Sequence, residues 1–363
     1  MSLSIPQGRL NLRVLDPGRL LNFIGLALLV LAALGLLYGF YDRTSQFTQY
    51  MIIGIANGGL IALIALGYTL VYGIVELINF AHGEVFMMGA YFAFTVVAAT
   101  SVTTEDSWLV LAGAALVALL GAMVFSSGIN WGIDRVAYRR LRHAPRLAPL
   151  ICAIGFSFIL QQISIYWKGS RPLSPPPLIP SEYRTYNILQ EWFGLETSIR
   201  IRPIDLAVVV VTLPLLLLLQ WFVNRTRTGK AMRATAQDRD AAALMGIDVN
   251  RAISVAFLIG GALAGAAGMI ALYYNNSARP TMGFRYGLFA FTAAVVGGIG
   301  NLNGAVVGGF FIGIVWSLSD GFIKGYFGGW GAQWTSVVIF GLLVLTMVFR
   351  PSGLLGENTS EKV

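Results

Sequence analysis

Long apolar runs recur through the sequence, and most of them approach the roughly 20 residues that an α-helix needs to cross a bilayer. Short polar segments separate these runs, as expected for a chain that passes repeatedly through a membrane. The sequence therefore predicts an all-α, polytopic membrane protein with about ten transmembrane helices, or about eight if the last closely spaced pair is re-entrant. The predicted spans are 20–41, 50–73, 85–99, 108–131, 147–167, 206–223, 252–273, two shorter pieces within 286–322, and 335–349.

The composition also indicates a membrane protein. Of the 363 residues, 56% are hydrophobic and only 12% are charged, which is too apolar for a soluble chain of this length. The net charge of +8 is divided among the loops between apolar runs, so it does not form the single basic face of a nucleic-acid-binding protein. Cys152 is the only cysteine, which excludes an intrachain disulfide and a thiol-based metal site.

The basic residues predict the orientation of the chain. With a cytoplasmic amino terminus, most of the 25 Lys and Arg residues fall on the cytoplasmic side, as the positive-inside rule requires. Both termini are then cytoplasmic. The predicted organisation is a cytoplasmic N-terminal segment 1–19, a transmembrane domain 20–349 with an external insertion 168–205 and a cytoplasmic loop 224–251, and a cytoplasmic tail 350–363.

A charged island at residues 228–251 interrupts the apolar pattern. No Pro or interior Gly breaks residues 230–245, which favours one helix there. Asp238 and Asp240 are also suited to starting a separate short helical turn within the island, because acidic residues stabilise a helix amino terminus. Gly246 is placed to end the helix in the left-handed conformation.

The tip of this island, residues 240–247, has the composition of a contact surface. Its small residues let another surface approach the backbone, and its apolar residues have little reason to occupy a solvated loop. We therefore predict that it docks a partner; the alternative is a cytoplasmic loop whose charges only set the topology. The candidate contact residues are Asp240, Ala241, Ala242, Leu244, Met245, Gly246 and Ile247.

Polar residues also gather between the second and third predicted spans, at Asn79, His82, Gly83 and Glu84. Ionisable groups at membrane depth are costly and are therefore functional candidates. Two interpretations remain open. In one, a broken helix exposes these residues to a water-filled path for a polar solute. In the other, they belong to an ordinary cytoplasmic turn or a closing gate.

A dense glycine run, residues 297–304, contains Asn301 and Asn303. It is either a flexible hairpin or a break that lines a permeation path with both asparagines turned inward. Glycines four residues apart elsewhere predict close helix packing. These pairs are Gly54 with Gly58, Gly261 with Gly265, Gly304 with Gly308, and Gly309 with Gly313.

Motifs for chemistry on the chain itself are missing from the sequence. Lys230 follows a glycine but lacks the rest of a phosphate-binding P-loop, so we predict that this chain does not hydrolyse ATP. No motif of a serine or zinc hydrolase occurs. The two histidines, His82 and His143, lie in separate loops, so we predict no metal site and no catalytic residue.

Three stretches carry a resemblance to a known family. Asp240-Ala241-Ala242, three further residues and Gly246 resemble the EAA-x-x-x-G loop by which permease subunits of bacterial ABC importers seat a coupling helix in their ATPase, with Asp240 in place of Glu. INFAHGEVFMMGAY at 78–91 and FTAAVVGGIGNLNGAVVGG at 291–309 look like permeases for branched-chain amino acids and urea. The matches extend from about residue 50 to 320.

This resemblance implies an inner-membrane permease subunit, with residues 240–247 as the ATPase contact. The implied partners are a second homologous permease, two ABC ATPase subunits that bind ATP and Mg²⁺, and a periplasmic or lipid-anchored solute-binding protein. The implied solute is a branched-chain or other hydrophobic amino acid, with urea or a short amide as the alternative. A different class, an ATPase-independent secondary transporter or channel, would use His82 or Glu84 to carry or gate protons.

Overall fold

The structure is a computed structural model, and it describes residues 41, 43–141, 144–145, 147–178, 187, 189–190, 194, 199–323 and 332–356. The chain divides into two compact units, Met1–Thr44 and Ser45–Val363. Apart from Tyr41, the predicted N-terminal segment and the first predicted span lie outside the described residues. The long helices of the described residues belong to the second unit, except that the first of them begins at Thr44.

The described part of this unit is built from helices, as predicted. Its apolar helices are α1 (Thr44–Val75), α2 (His82–Thr100), α3 (Trp108–Ile133), α4 (Leu147–Lys168), α5 (Pro203–Arg225), α8 (Val249–Tyr274), α9 (Met282–Gly297), α10 (Leu302–Leu318) and α11 (Ala332–Phe349). Two polar helices, α6 (Arg227–Gln237) and α7 (Arg239–Leu244), lie between α5 and α8. The π-helical segments Asp134–Tyr138 and Ser319–Ile323 extend α3 and α10.

Seven helices of the described residues are long and apolar enough to cross a membrane, and α9 and α11 are shorter. The prediction of an all-α polytopic membrane protein is confirmed. With 16 residues, α9 is about 24 Å long, which is less than the roughly 30 Å of a hydrocarbon core. The α9–α10 hairpin therefore pairs this short helix with a longer apolar span, since α10 and its π-helical extension together run from Leu302 to Gly321.

Helix α1 lies at the centre of the bundle. In its most apolar stretch 89% of the residues are buried, compared with 22% to 28% for α3, α4 and α5. Small residues and β-branched or leucyl side chains cover every side of α1, so other helices can pack all around it. By contrast, α3, α4 and α5 present apolar side chains outward, where lipid or another subunit would cover them.

The glycine pairs predicted from the sequence are close-packing sites. A methyl group built on Gly261 of α8 would lie 2.7 Å from the carbonyl oxygen of Ser126 on α3, and one on Gly265 would overlap the carbonyl of Ala122. Only a hydrogen atom fits between these backbones. The remaining pairs pack in the same way: Gly54 and Gly58 against α10, Gly304 and Gly308 against α9, and Gly309 and Gly313 against α1.

We expect Gly265→Ala to lower the melting temperature of the detergent-solubilised protein, because overpacking a close helix contact costs about 1–3 kcal/mol. Gly113→Ala is the matched control, since Gly113 lies on the facing helix α3 and no described atom is within 4 Å of a methyl group built there. The control should melt like the unmodified protein. Equal melting temperatures for the two variants would contradict the assigned contact.

Candidate functional site

Asp238 divides the charged island into two helices. Its backbone is extended, and its side chain accepts hydrogen bonds from the backbone amides of Asp240 and Ala241, both at 2.9 Å. The prediction of one helix over 230–245 is therefore wrong, and the separate short turn beginning at Asp238 is confirmed. The physical reason is the N-cap: a carboxylate that satisfies the free amides of a new helix stabilises it by about 1 kcal/mol.

The carboxyl end of α7 is closed by a second set of hydrogen bonds. Gly246 has a φ of +82°. Its amide donates to the carbonyl of Ala243, and the amide of Ile247 donates to that of Ala242, each at 3.0 Å. This pattern is a Schellman motif, which confirms that Gly246 ends the helix. Because hydrogen bonds fix both of its ends, α7 is a defined element rather than a pliable loop.

The surface that α7 presents is apolar at its tip. Leu244 and Met245 are 89% and 83% exposed, although both are large and hydrophobic. Asp240 and Ala241 are also exposed, whereas Ala242 is buried against the rest of the chain. An adjacent pair of exposed apolar side chains on a capped helix is typical of a surface that another protein covers.

Asn79, one of the predicted pathway residues, is part of a buried hydrogen-bond network. Its amide nitrogen donates to Oδ1 of Asn130 on α3 at 3.2 Å, and its own Oδ1 accepts from the backbone amide of Ala81 at 3.1 Å. Asn130 in turn donates to the carbonyl of Phe257 on α8 at 2.7 Å. The network joins the loop before α2 to two other helices, so Asn79 positions that loop.

His82 opens α2 and is buried in the centre of the bundle. Its ring lies edge-on to Tyr68 of α1, with 4.8 Å between ring centroids. Gly67 of α1 and Gly260 of α8 leave the space that the imidazole fills. Neither ring nitrogen makes a hydrogen bond within the described residues. A buried polar ring at such a junction is costly, and this makes His82 a functional candidate.

Gly83 and Glu84 continue this junction toward α9 and α4. A methyl group on Gly83 would lie 2.9 Å from Cα of Gly287, so α2 and α9 touch through their backbones. The buried Glu84 accepts one long hydrogen bond from Ser157 of α4, at 3.4 Å. Its Oε2, beside Gly283, has no partner among the described residues. The structure thus brings His82, Gly83 and Glu84 to a single crossing of helices.

A small cavity lies next to this crossing. Tyr68, which contacts His82, lines it together with residues of α1, the loop before α2, α9 and the hairpin that follows α9. The cavity lies between the loop before α2 and the hairpin after α9, and none of the six predicted pathway residues lines it. Its other lining residues are Thr69, Tyr72, Ile78, Phe291, Ala294 and Ile299.

The two hairpin asparagines lie apart from the His82 crossing and have different surroundings. Asn301 caps α10 by accepting from the amide of Gly304 at 3.1 Å, and it donates to the carbonyl of Leu355 at 2.7 Å. Asn303 is exposed, and its side chain accepts from Gln220 of α5 at 2.8 Å. Asn301 therefore holds the C-terminal segment against the hairpin, and Asn303 links the hairpin to α5.

Comparison with known proteins decides the family. Residues 50–347 match the family described as the permease component of the branched-chain amino acid transport system. The chain is 39% identical over 323 residues to the high-affinity branched-chain amino acid transport system permease protein LivH of Salmonella typhimurium, which covers 89% of this chain and 99% of that protein. The chain belongs to this permease family.

Two other relatives differ in how similar they are to this chain. The chain is 39% identical over 321 residues to the high-affinity branched-chain amino acid transport system permease protein BraD of Pseudomonas aeruginosa, covering 88% of this chain and 98% of BraD. It is 28% identical over 261 residues to the ribose import permease protein RbsC of Escherichia coli, covering 69% and 72%. The resemblance inferred from residues 78–91, 240–246 and 291–309 is therefore confirmed at the level of the family.

Sequence reasoning did not single out three residues that organise the site of this permease. Tyr68 packs on His82, Asn130 holds Asn79, and Ser157 donates to Glu84. All three lie inside predicted spans, where a polar side chain must find a partner within the protein. A polar residue within an otherwise apolar run is therefore the sequence signal that could have identified all three.

Proposed function

We propose that this chain is the permease subunit of an ATP-driven ABC importer that moves branched-chain amino acids across the inner membrane. The observation that carries the proposal is α7: a short, doubly capped helix that exposes Leu244 and Met245 at the position of the family's coupling motif. Its apolar tip suits insertion into a groove of an ATPase. A self-sufficient channel or secondary transporter has no use for such a surface.

The relatives support the solute class. LivH and BraD, both permeases of branched-chain amino acid systems, share 39% identity with this chain along nearly all of their length. The ribose permease RbsC shares 28% over a shorter region. This difference favours an amino acid over a sugar, and none of these three relatives is a urea permease.

The partners follow from the same proposal. ATP and Mg²⁺ bind to two ATPase subunits rather than to this chain, a second homologous permease completes the path, and an external solute-binding protein delivers the amino acid. Both termini and α7 face the cytoplasm. Closure of the ATPases on ATP moves α7, and the packed helices around α1 switch the path between outward and inward access. His82, Gly83 and Glu84 lie at the crossing that must rearrange.

Deletion of the gene in its own host tests the solute. We expect uptake of radiolabelled leucine from low external concentrations to fall, excess isoleucine or valine to compete with leucine in the complemented strain, and urea uptake to remain unchanged. Restoring the unmodified gene should restore leucine uptake. Normal leucine uptake together with lost urea uptake in the deletion strain would overturn the proposed solute.

A further inference from the structure

The α7 helix is hydrogen-bonded directly to the central helix of the bundle through Arg239. The Arg239 guanidinium donates from Nε at 3.1 Å and from Nη2 at 2.7 Å to one acceptor, the backbone carbonyl of Ile74. The Arg239 side chain is half-buried. Two charge-assisted hydrogen bonds from a planar guanidinium constrain distance and direction together.

The acceptor lies at the carboxyl end of α1, the end at which a helix binds a cation favourably. Val75 is the last residue of α1, so the carbonyl of Ile74 has no amide within the helix to bond. The helix dipole adds a partial negative charge there. Glu76, with a φ of +54°, turns the chain away and leaves this carbonyl open to Arg239.

The same end of α1 leads directly to the polar crossing. Only residues 75–81 separate Ile74 from His82, and Asn79 ties this loop to α3. About two turns earlier in α1, Gly67 and Tyr68 pack against the His82 ring. A displacement of the end of α1 would therefore reach His82 by two routes, through the loop and through the helix itself.

We propose that Arg239 is the positioning residue that transmits movement of α7 to α1, and thereby couples the ATPase to the crossing at His82, Gly83 and Glu84. This inference rests on the proposed function, because it needs an ATPase on α7. Leu244 and Met245 bind the ATPase, and Arg239, five residues before Leu244 on the same capped element, passes the movement on. Docking and transmission are thus assigned to different side chains.

The test separates coupling from docking. Three forms are purified with their bound subunits: the unmodified chain, Arg239→Gln and Arg239→Lys. The ratio of leucine transported to ATP hydrolysed is then measured for each form in liposomes. We expect Arg239→Gln to retain its ATPase and its ATP hydrolysis while the ratio falls about tenfold, because charge and bidentate geometry are both lost. Arg239→Lys keeps the charge but not the fork geometry, so its ratio should be intermediate.

Arg233→Gln is the matched control, because Arg233 is an exposed arginine of the neighbouring helix α6 whose guanidinium reaches, among the described residues, only the carbonyl of Asn224, at 3.4 Å. Its ratio should equal that of the unmodified protein. A normal ratio in Arg239→Gln, or loss of the ATPase from that variant, overturns the inference. If Arg239→Gln is not recovered from membranes, Arg239→Lys decides by the same ratio, and a normal value overturns it. Absence of an ATPase from the unmodified chain would instead refute the proposed function.

Discussion

Replacing both Leu244 and Met245 with Asp is expected to leave the permease in the membrane without a bound ATPase. Both side chains are almost fully exposed, so the change disturbs no packing within this chain. Burying each apolar side chain in a partner is worth about 2 kcal/mol, and losing both weakens binding by about three orders of magnitude. Affinity purification from membranes, followed by quantification of the co-purified ATPase and of leucine uptake, measures the effect.

The matched control exchanges the same two residues, as Leu244→Met with Met245→Leu. This variant keeps the apolar volume and should retain ATPase and uptake. Ala242→Arg is not a suitable test, because Ala242 is buried within the chain and its replacement would disturb α7 itself. A full complement of ATPase on the double Asp variant would show that α7 is not the docking element.

Substituting His82 with Leu is expected to reduce leucine uptake by about tenfold, a change of roughly 1.4 kcal/mol, while the ATPase remains bound and its basal hydrolysis continues. The substitution removes the polar ring from the crossing of α1, α2 and α8 but breaks no hydrogen bond among the described residues. Uptake, co-purified ATPase and melting temperature should be measured on the same preparation. Normal uptake would return His82 to the interpretation as an ordinary buried residue.

Asn79→Leu is the informative comparison, because it should lower uptake and also stability. It leaves the amide of Ala81 and Oδ1 of Asn130 without their partner, and each unpaired buried group costs about 1–3 kcal/mol. The melting temperature of Asn79→Leu should therefore fall below that of His82→Leu. Equal melting temperatures would contradict the positioning role of Asn79.

Local patterns were sufficient to predict much of this fold. Apolar runs located the described membrane helices, because backbone polar groups at membrane depth can be satisfied within a helix. Glycine spacing located contacts such as Gly261 and Gly265 against α3, since close backbone approach has few other solutions. The end of α7 at Gly246 was predictable for an equally local reason, because glycine readily adopts the positive φ that ends a helix.

Features that depend on distant partners could not be predicted in the same way. The break at Asp238 is a local feature that the sequence allowed only as an alternative, because helix propensity alone does not decide whether a side chain caps a new helix or continues the old one. The pairing of Asn79 with Asn130 joins residues 51 positions apart. The bond from Arg239 to Ile74 spans 165 positions, and nothing near either residue in sequence indicates the other.

The two remaining classes of function differ in their source of energy. An importer driven through α7 requires ATP, whereas a secondary transporter that uses His82 or Glu84 requires an ion gradient. Both classes accommodate the polar crossing, so its geometry alone does not separate them. The exposed pair on α7 favours the first class.

The most direct measurement of the central claim is leucine uptake into liposomes that contain the permease with its co-purified subunits, supplied with its binding protein outside. With ATP and Mg²⁺ inside the liposomes, we predict that leucine accumulates, that a protonophore leaves the rate unchanged, and that the double Asp variant at Leu244 and Met245 shows no uptake. Leucine accumulation without ATP, driven by a proton gradient and retained in the double variant, would contradict the account.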